Sequence, residues 1–344
     1  MITTSTRSRQ PQGAEHAASW QRELARAITE PAELLRCLGL DPGQAPAIAA
    51  AAGAFGLRVP RAFVRRMRRE DPNDPLLLQV LPGARELLEQ PGFLSDPLAE
   101  HAAARAPGLL QKYHGRALLI TTGACAIHCR YCFRREFPYE SANGVGSRWQ
   151  QALETLRADS SIEEIILSGG DPLALSDERL GALTDALRRM PQLRRLRIHT
   201  RTPIVLPERV DAGLANWLNG LPWPTVIVLH CNHANEIDEQ VRAAAARLRA
   251  AGATLLNQSV LLAGINDSLS ALEQLSEALW SARILPYYLH LLDRVRGTAH
   301  FDVPELRARE LMAALAARLP GYLLPKLVRE TPGAPAKTVL SAAQ

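Results

Sequence analysis

The sequence predicts an α/β fold: a partial (β/α)6 TIM-like barrel behind a helical N-terminal region. Three observations carry this. From about residue 115 onward, strand-like apolar runs alternate with helical patterns. That repeated βα rhythm argues for a parallel sheet. Polar residues then collect at the C-terminal ends of the strand-like runs, where barrels of this class place their functional groups.

Residues 1–20 are polar, with little apolar periodicity, and are expected to be disordered. Residues 21–110 read as helices broken by prolines, at Trp20–Ile28, Ala32–Leu38, Pro60–Arg69 and Arg85–Glu89, with no visible chemistry of their own. The barrel is expected over 111–330. Its strands fall at Ala117–Thr122, Glu164–Ser168, Leu196–Thr200, Thr225–His230, Thr254–Leu262 and Leu285–Leu292, with a further short strand at Tyr322–Val328. Helical stretches lie between them near 147–158, 176–190, 207–219, 235–251, 268–282 and 304–318. Residues 331–344 form a Pro/Gly loop and tail.

The chain has 344 residues, 47% hydrophobic and 22% charged, enough apolar material for a large core. No apolar run approaches the about 20 residues of a membrane span, and the polar start lacks the apolar core of a secretion signal. A cytoplasmic location is expected, where thiols stay reduced. Net charge is +5. The basic stretches Arg61–Arg69 and Arg188–Arg197 lack interleaved aromatics and read as solvated helix faces rather than a nucleic-acid footprint. The charge would favour an acidic protein partner. Nearly all the basic residues are arginine. Lysine occurs only at 112, 326 and 337, so any lysine-dependent covalent chemistry has three candidates.

Chemistry concentrates in Cys125-Ala-Ile-His-Cys129-Arg-Tyr-Cys132. Three thiolates in one tight loop can ligate three irons of a [4Fe–4S] cube and leave the fourth open to a small molecule. A structural zinc site wants four ligands, and His128, inside the same loop, would crowd the tetrahedron. A disulfide would leave an odd thiol, and nothing indicates export. Ser168-Gly169-Gly170-Asp171 follows the second strand, and paired glycines allow a ligand close to the backbone. His199-Thr200-Arg201, His230 and Gln258 end or lie on the next strands. Taken singly, each is more often a satisfied polar residue. Jointly they suit a pocket for a nucleoside and a carboxylate. Lys337, in Thr331-Pro-Gly-Ala-Pro-Ala-Lys337, becomes a Schiff-base nucleophile if desolvated or set near other cations. On that segment alone a solvated tail lysine is the simpler reading.

The cysteine loop resembles that of the radical S-adenosylmethionine (SAM) superfamily, which implies a barrel of the radical SAM type. Over roughly residues 100–340 the chain resembles the lysine 2,3-aminomutase family of radical SAM, pyridoxal-phosphate (PLP) enzymes. The resemblance rests on Tyr113-His-Gly-Arg116, Cys125–Arg135, Ser168–Leu173, Arg197–Pro203, Asn257–Leu262, Pro286-Tyr-Tyr288 and Pro320-Gly-Tyr322 through Lys337. It implies that Cys125, Cys129 and Cys132 hold the cluster and that Lys337 holds PLP through a Schiff base. Lys112, Tyr113 and Arg116 would lie near that cofactor, with Arg116 on its phosphate. SAM would lie against Tyr131, Ser168, Gly169, Gly170, Asp171, Thr200, Arg201, His230 and Gln258. Arg134 would grip the substrate carboxylate, and Asp293 with Glu330 its distal amine.

The activity so implied converts L-lysine to β-lysine. An adenosyl radical from SAM takes a hydrogen from the β-carbon, and PLP carries the migrating nitrogen. Glu330 stands where free-lysine enzymes carry aspartate. Those enzymes also continue past the PLP lysine into a zinc-binding cysteine segment that this sequence, with only Cys37 and Cys231 remaining, does not carry. The resemblance is therefore to the short, elongation factor P β-lysylation type. It implies (R)-β-lysine, a partner ligase and a reductant such as flavodoxin or ferredoxin. The alternatives are an aminomutase that makes free β-lysine or acts on another amino acid such as arginine, and a cluster-bearing scaffold without turnover. Two carboxylates argue against glutamate as substrate, and a PLP-type lysine argues against the scaffold.

Overall fold

A computed structural model describes residues 18–53, 55–139 and 147–342, the side chains of 147 and 148 excepted. Most of the stretch expected to be disordered, and the last two residues of the tail, lie outside these.

Ten strands form one sheet in sequence order. They are β1 (Ala104–Ala106), β2 (Leu109–Tyr113), β3 (Arg116–Thr122), β4 (Glu164–Gly169), β5 (Arg195–Thr200), β6 (Thr225–His230), β7 (Thr254–Val260), β8 (Leu285–His290), β9 (Lys326–Arg329) and β10 (Thr338–Val339). Neighbours from β3 to β9 pair in parallel, while β1, β2 and β10 are antiparallel additions at the two edges. Each of β3 to β8 is followed by a helix: Ser147–Ala158, Asp177–Leu187, Ala212–Asn219, Glu239–Ala250, Leu269–Ser281 and Glu305–Ala316. The fold is thus the partial (β/α)6 barrel of the sequence reading, widened at both edges.

The units form for local reasons. β4 is buried at all six positions, as an inner parallel strand must be. Ile165, Leu167, Ile198, Ile227 and Leu229 of the strands bury against Leu180, Leu183, Leu214, Val241 and Leu248 of the helices. Ser176, Asp211, Asp238 and Ser268 each cap a helix by accepting a bond from the backbone of Arg179, Leu214, Val241 and Ala271. Each such cap contributes about 1 kcal/mol.

The N-terminal region departs from expectation. Its helices are Ser19–Ala25, Pro31–Leu38, Ala45–Ala52 and a single turn at Arg61–Val64, and Ala84–Leu87 is a 3-10 turn. β1 and the start of β2 fall inside the stretch read as helical. Leu109 and Leu110 are claimed by antiparallel pairing to Leu119 and Leu118 across a tight turn, which Gly115 makes possible at φ +72°. Tyr322 lies in a 3-10 turn, so the last parallel strand starts later than the apolar pattern indicates. Among the described residues no helix is long and apolar enough to cross a membrane.

The paired glycines also have a packing reason. A Cβ on Gly170 would sit 2.4 Å from the carbonyl oxygen of Ala124, and one on Gly169, at φ +120°, 2.6 Å from that of Thr122. They let the cysteine loop lie against the end of β4, where Gly170 N donates to Thr122 O and Asp171 N to Ala124 O. Gly170→Ala should therefore cost about 1–3 kcal/mol by overpacking backbone against backbone. Anaerobic urea unfolding measures this; an unchanged midpoint would contradict the contact.

Candidate active site

A cavity of about 500 Å³ opens at the C-terminal ends of β3 to β8. Every site residue singled out in the sequence lines it. The cysteines, the Ser168–Asp171 turn, the ends of β5 to β7, and Lys112, Tyr113, Arg116, Asp293, Glu330 and Lys337 all line it. Lys326 is exposed and does not reach the cavity.

The cysteine loop has no regular structure and is held by neighbours. Its backbone at His128 and Arg130 donates to Arg58 O and Gln79 O in the N-terminal region. Arg130 is wholly buried on Glu86, which also takes Arg135 at 2.7 Å. His128 turns its Nδ1 to Gly56 O at 2.7 Å. Burial raises the thiols of Cys125 and Cys132, the latter to about 11, and the neighbouring cysteines push the same way. Among the described residues no three His, Cys, Asp or Glu side chains converge on one ion position. A cube does not ask them to, because each thiolate binds a different iron.

A second group of lining side chains forms a ladder of alternating charge. Glu330 contacts Lys337 and accepts from Lys112 Nζ at 3.0 Å, and Lys112 also lies 3.2 Å from Glu100. Burial would raise the Glu330 carboxyl, but Lys337 and Lys112 outweigh it and hold it down to about 2. Asp293 has no such clamp. Burial, and then Glu330, push it up to about 7. Burial, and then Lys337, push His290 down to about 3. The Nε2 atoms of His199 and His290 and the Nε of Arg116 are buried without partners.

A family model described as "4Fe-4S single cluster domain" matches residues 114–199. An L-lysine 2,3-aminomutase from Escherichia coli (strain K12) is 47% identical over 341 residues, covering 99% of this chain and 97% of that protein. One from Haemophilus influenzae is 44% identical, covering 93% and 95%. One from Clostridium subterminale is 34% identical, covering 93% of this chain and 77% of that protein. The chain belongs to the L-lysine 2,3-aminomutase family. It is an isomerase whose cofactors are a [4Fe–4S] cluster, SAM and PLP.

The residues present fit that cofactor set. Three thiols in one loop match a cube with an open iron, and the unpartnered nitrogens of Arg116, His199 and His290 are donors and acceptors awaiting a polar ligand. Several side chains of this aminomutase are nonetheless occupied. The Asp171 carboxylate accepts from Thr200 Oγ1 (2.7 Å) and the backbone of Arg201, Thr202 and Leu173, and so joins the ends of β4 and β5. Tyr131 stacks on His230 and bonds its Nε2 at 3.1 Å. Ser168 accepts from Arg134 Nη1 at 3.0 Å. Gln258 pairs in register with His230 and faces the same space.

Glu100 is the residue that sequence reasoning missed. It is 2% exposed and takes both Nε and Nη2 of Arg134, at 2.7 and 2.8 Å. The fork expected to hold a substrate carboxylate is thus already on a carboxylate. Burial opposes the charge on Glu100, but Arg134 and then Lys112 overcome it and lower its carboxyl. Glu100→Ala strands a buried guanidinium and should cost about 3–5 kcal/mol, read by chemical denaturation. A loss below about 1 kcal/mol would show the pair to be solvated in solution.

Proposed function

We propose that this aminomutase converts L-lysine to (R)-β-lysine and supplies it to a ligase that modifies elongation factor P. What carries the reading is a single cavity lined by three cysteines together with Lys337, Lys112, Glu330 and Asp293. The relatives named L-lysine 2,3-aminomutase support the lysine chemistry, and Glu330, which stands where the resemblance puts aspartate in free-lysine enzymes, favours delivery to the ligase. The three thiols that must stay reduced support a cytoplasmic setting. The positive net charge suits an acidic reductant such as flavodoxin or ferredoxin. The domain reading that goes with this is a barrel over 111–330, residues 21–110 as its support, and 331–344 as the segment that delivers Lys337.

Cys125, Cys129 and Cys132 would hold the cluster, Lys337 and Arg116 would hold PLP, and the ends of β4 to β7 would hold SAM. When bound, these groups supply a hydrogen-abstracting radical and a ring that carries the migrating nitrogen. The chain's own work is binding, orientation and exclusion of water. Arg134 presents Ser168 and Gly169 O with Nη1, and its other nitrogens are the fork a substrate carboxylate would share with Glu100. With Lys337 committed to PLP, Glu330, which accepts from Lys112 Nζ at 3.0 Å, would be one carboxylate for the substrate ε-ammonium. Asp293, which no side chain bonds among the described residues, is the second anion for that ammonium. Two carboxylates at this end favour a cationic amino acid and disfavour glutamate. Tyr113 closes the cavity beside Arg116, whose guanidinium lies 4.9 Å over its ring.

Anaerobic reconstitution with iron, sulfide, PLP, SAM and a panel of amino acids, followed by chiral analysis, tests the reading. β-Lysine should form from L-lysine alone, and turnover of arginine in its place would overturn the substrate assignment. Lys337→Ala should lose the PLP absorbance that borohydride traps while keeping wild-type iron. Intact trapping would move the attachment to Lys112.

The raised Asp293 carboxyl sets a pH dependence. It takes up a proton as pH falls through about 7 and then no longer attracts an ammonium. kcat/KM for L-lysine should fall by up to about tenfold per pH unit below that point, through KM more than kcat. Asp293→Asn should raise KM and flatten this limb. An unchanged profile in the variant would remove Asp293 from the ammonium site.

A further inference from the structure

Arg201 follows β5, and the resemblance places it among the SAM contacts. Its guanidinium is held by protein partners. Nη1 donates to Cys129 Sγ at 2.8 Å and also contacts Tyr131 Oη. Nη2 donates to Gln79 Oε1 at 2.7 Å and Glu236 Oε2 at 3.0 Å. These holders are themselves fixed. Glu236 Oε1 accepts from the backbone of Asn232 (2.9 Å) and His233 (3.1 Å) and from Gln79 Nε2 (3.2 Å). Asn232 Nδ2 closes the network on Gln79 Oε1 at 3.0 Å and Tyr131 Oη at 2.7 Å. Gln79, Asn232 and Glu236 are 0% exposed. Swinging Arg201 toward a ligand would strand the buried Glu236 carboxylate, so the fork stays on the sulfur.

We propose that Arg201, held by Gln79 and Glu236, donates a hydrogen bond to the cluster ligand Cys129 and thereby sets the reduction potential of the iron–sulfur centre. This rests on reading the three cysteines as cluster ligands. Reduction adds one electron, and the added negative charge spreads onto the sulfurs. A charged donor aimed at one of them favours the reduced form and raises the potential, while a nearby carboxylate does the reverse. Arg201 and Glu236 therefore work with opposite signs. A residue pair that merely props the loop would not.

The test is a spectroscopic redox titration of reconstituted protein without SAM, so that a lost SAM contact cannot move the result. Iron and sulfide content are measured alongside. Arg201→Gln removes the cation and should lower the reduced fraction at fixed poise about tenfold, a shift of about 59 mV for one electron. Glu236→Gln keeps the shape, removes the opposing charge and should shift the potential upward. Potentials that do not move, or that move in the same direction in both variants, overturn the proposal while the cluster reading stands. If Arg201→Gln does not assemble a cluster, Glu236→Gln decides: an upward shift supports the tuning role and none refutes it. If neither variant assembles one, the network is structural and the tuning role is overturned. Absence of iron and sulfide from the unsubstituted protein would instead sink the cluster reading itself.

Discussion

Everything on the chemical wall depends on holding an irregular loop so that three thiols face one space. The loop from Gly123 to Arg135 has no helix or strand to fix it, and a loop free to move would pay a large entropy cost on binding a cluster. The chain fixes it with buried charge. Arg130 lies on Glu86, Arg134 on Glu100 and Arg201 on Glu236, each pair almost fully buried. A buried pair gains little over apolar packing, but breaking one is costly, so such pairs specify geometry more than they add stability. That is the property a cluster loop needs.

Two of these carboxylates, Glu86 and Glu100, come from the N-terminal region, together with Gln79. The stretch that carries no chemistry of its own thus supplies counter-ions to the stretch that does. It also links the two groups of lining side chains: Glu100 touches both Arg134 beside the cysteines and Lys112 beside Glu330. Charge alternates along this line from Arg134 through Glu100, Lys112 and Glu330 to Lys337. Each anion is shared between two cations, so a ligand that claims one member changes the field at the next. Asp293 stands outside the line: Lys337 and Lys112 lower its carboxyl too, but with no side-chain bond to it among the described residues they do not offset burial and Glu330, whereas Glu330 is held low.

The barrel was legible because its signals are local. Apolar strands ending in polar residues, capped helices and the cysteine spacing each lie within a short window, and the residues they marked all line the cavity. The counter-ions were not legible, because their contacts span long separations. Glu100 lies 34 residues from Arg134, Gln79 lies 122 from Arg201, and neither sits in a motif. A buried glutamate looks like a surface one in sequence. The only available signal was the excess of arginine around the cysteines, which calls for partners somewhere. β1 and β2 were misread for a related reason: a short apolar run reads as either helix or strand until its pairing partner is known. The glycine pair lines the cavity, and the chain's own backbone also packs against it, a contact that no short window of sequence shows.

Lys337 shows how tertiary structure reverses a local reading. In sequence it sits in a Pro/Gly tail a few residues from the end, the place where chains are usually loose. Here the tail folds back. Gly333 turns at φ +75°, Thr338 and Val339 pair with Arg329 and Val328, and Leu340 donates to Leu327 O at 2.9 Å and is buried. The lysine immediately before this strand is carried to the cavity by a hairpin, with its ammonium on Glu330 and 5.9 Å over the ring of Tyr288. A lysine delivered this way is placed by antiparallel pairing to β9, the last parallel strand of the sheet, and by one buried leucine.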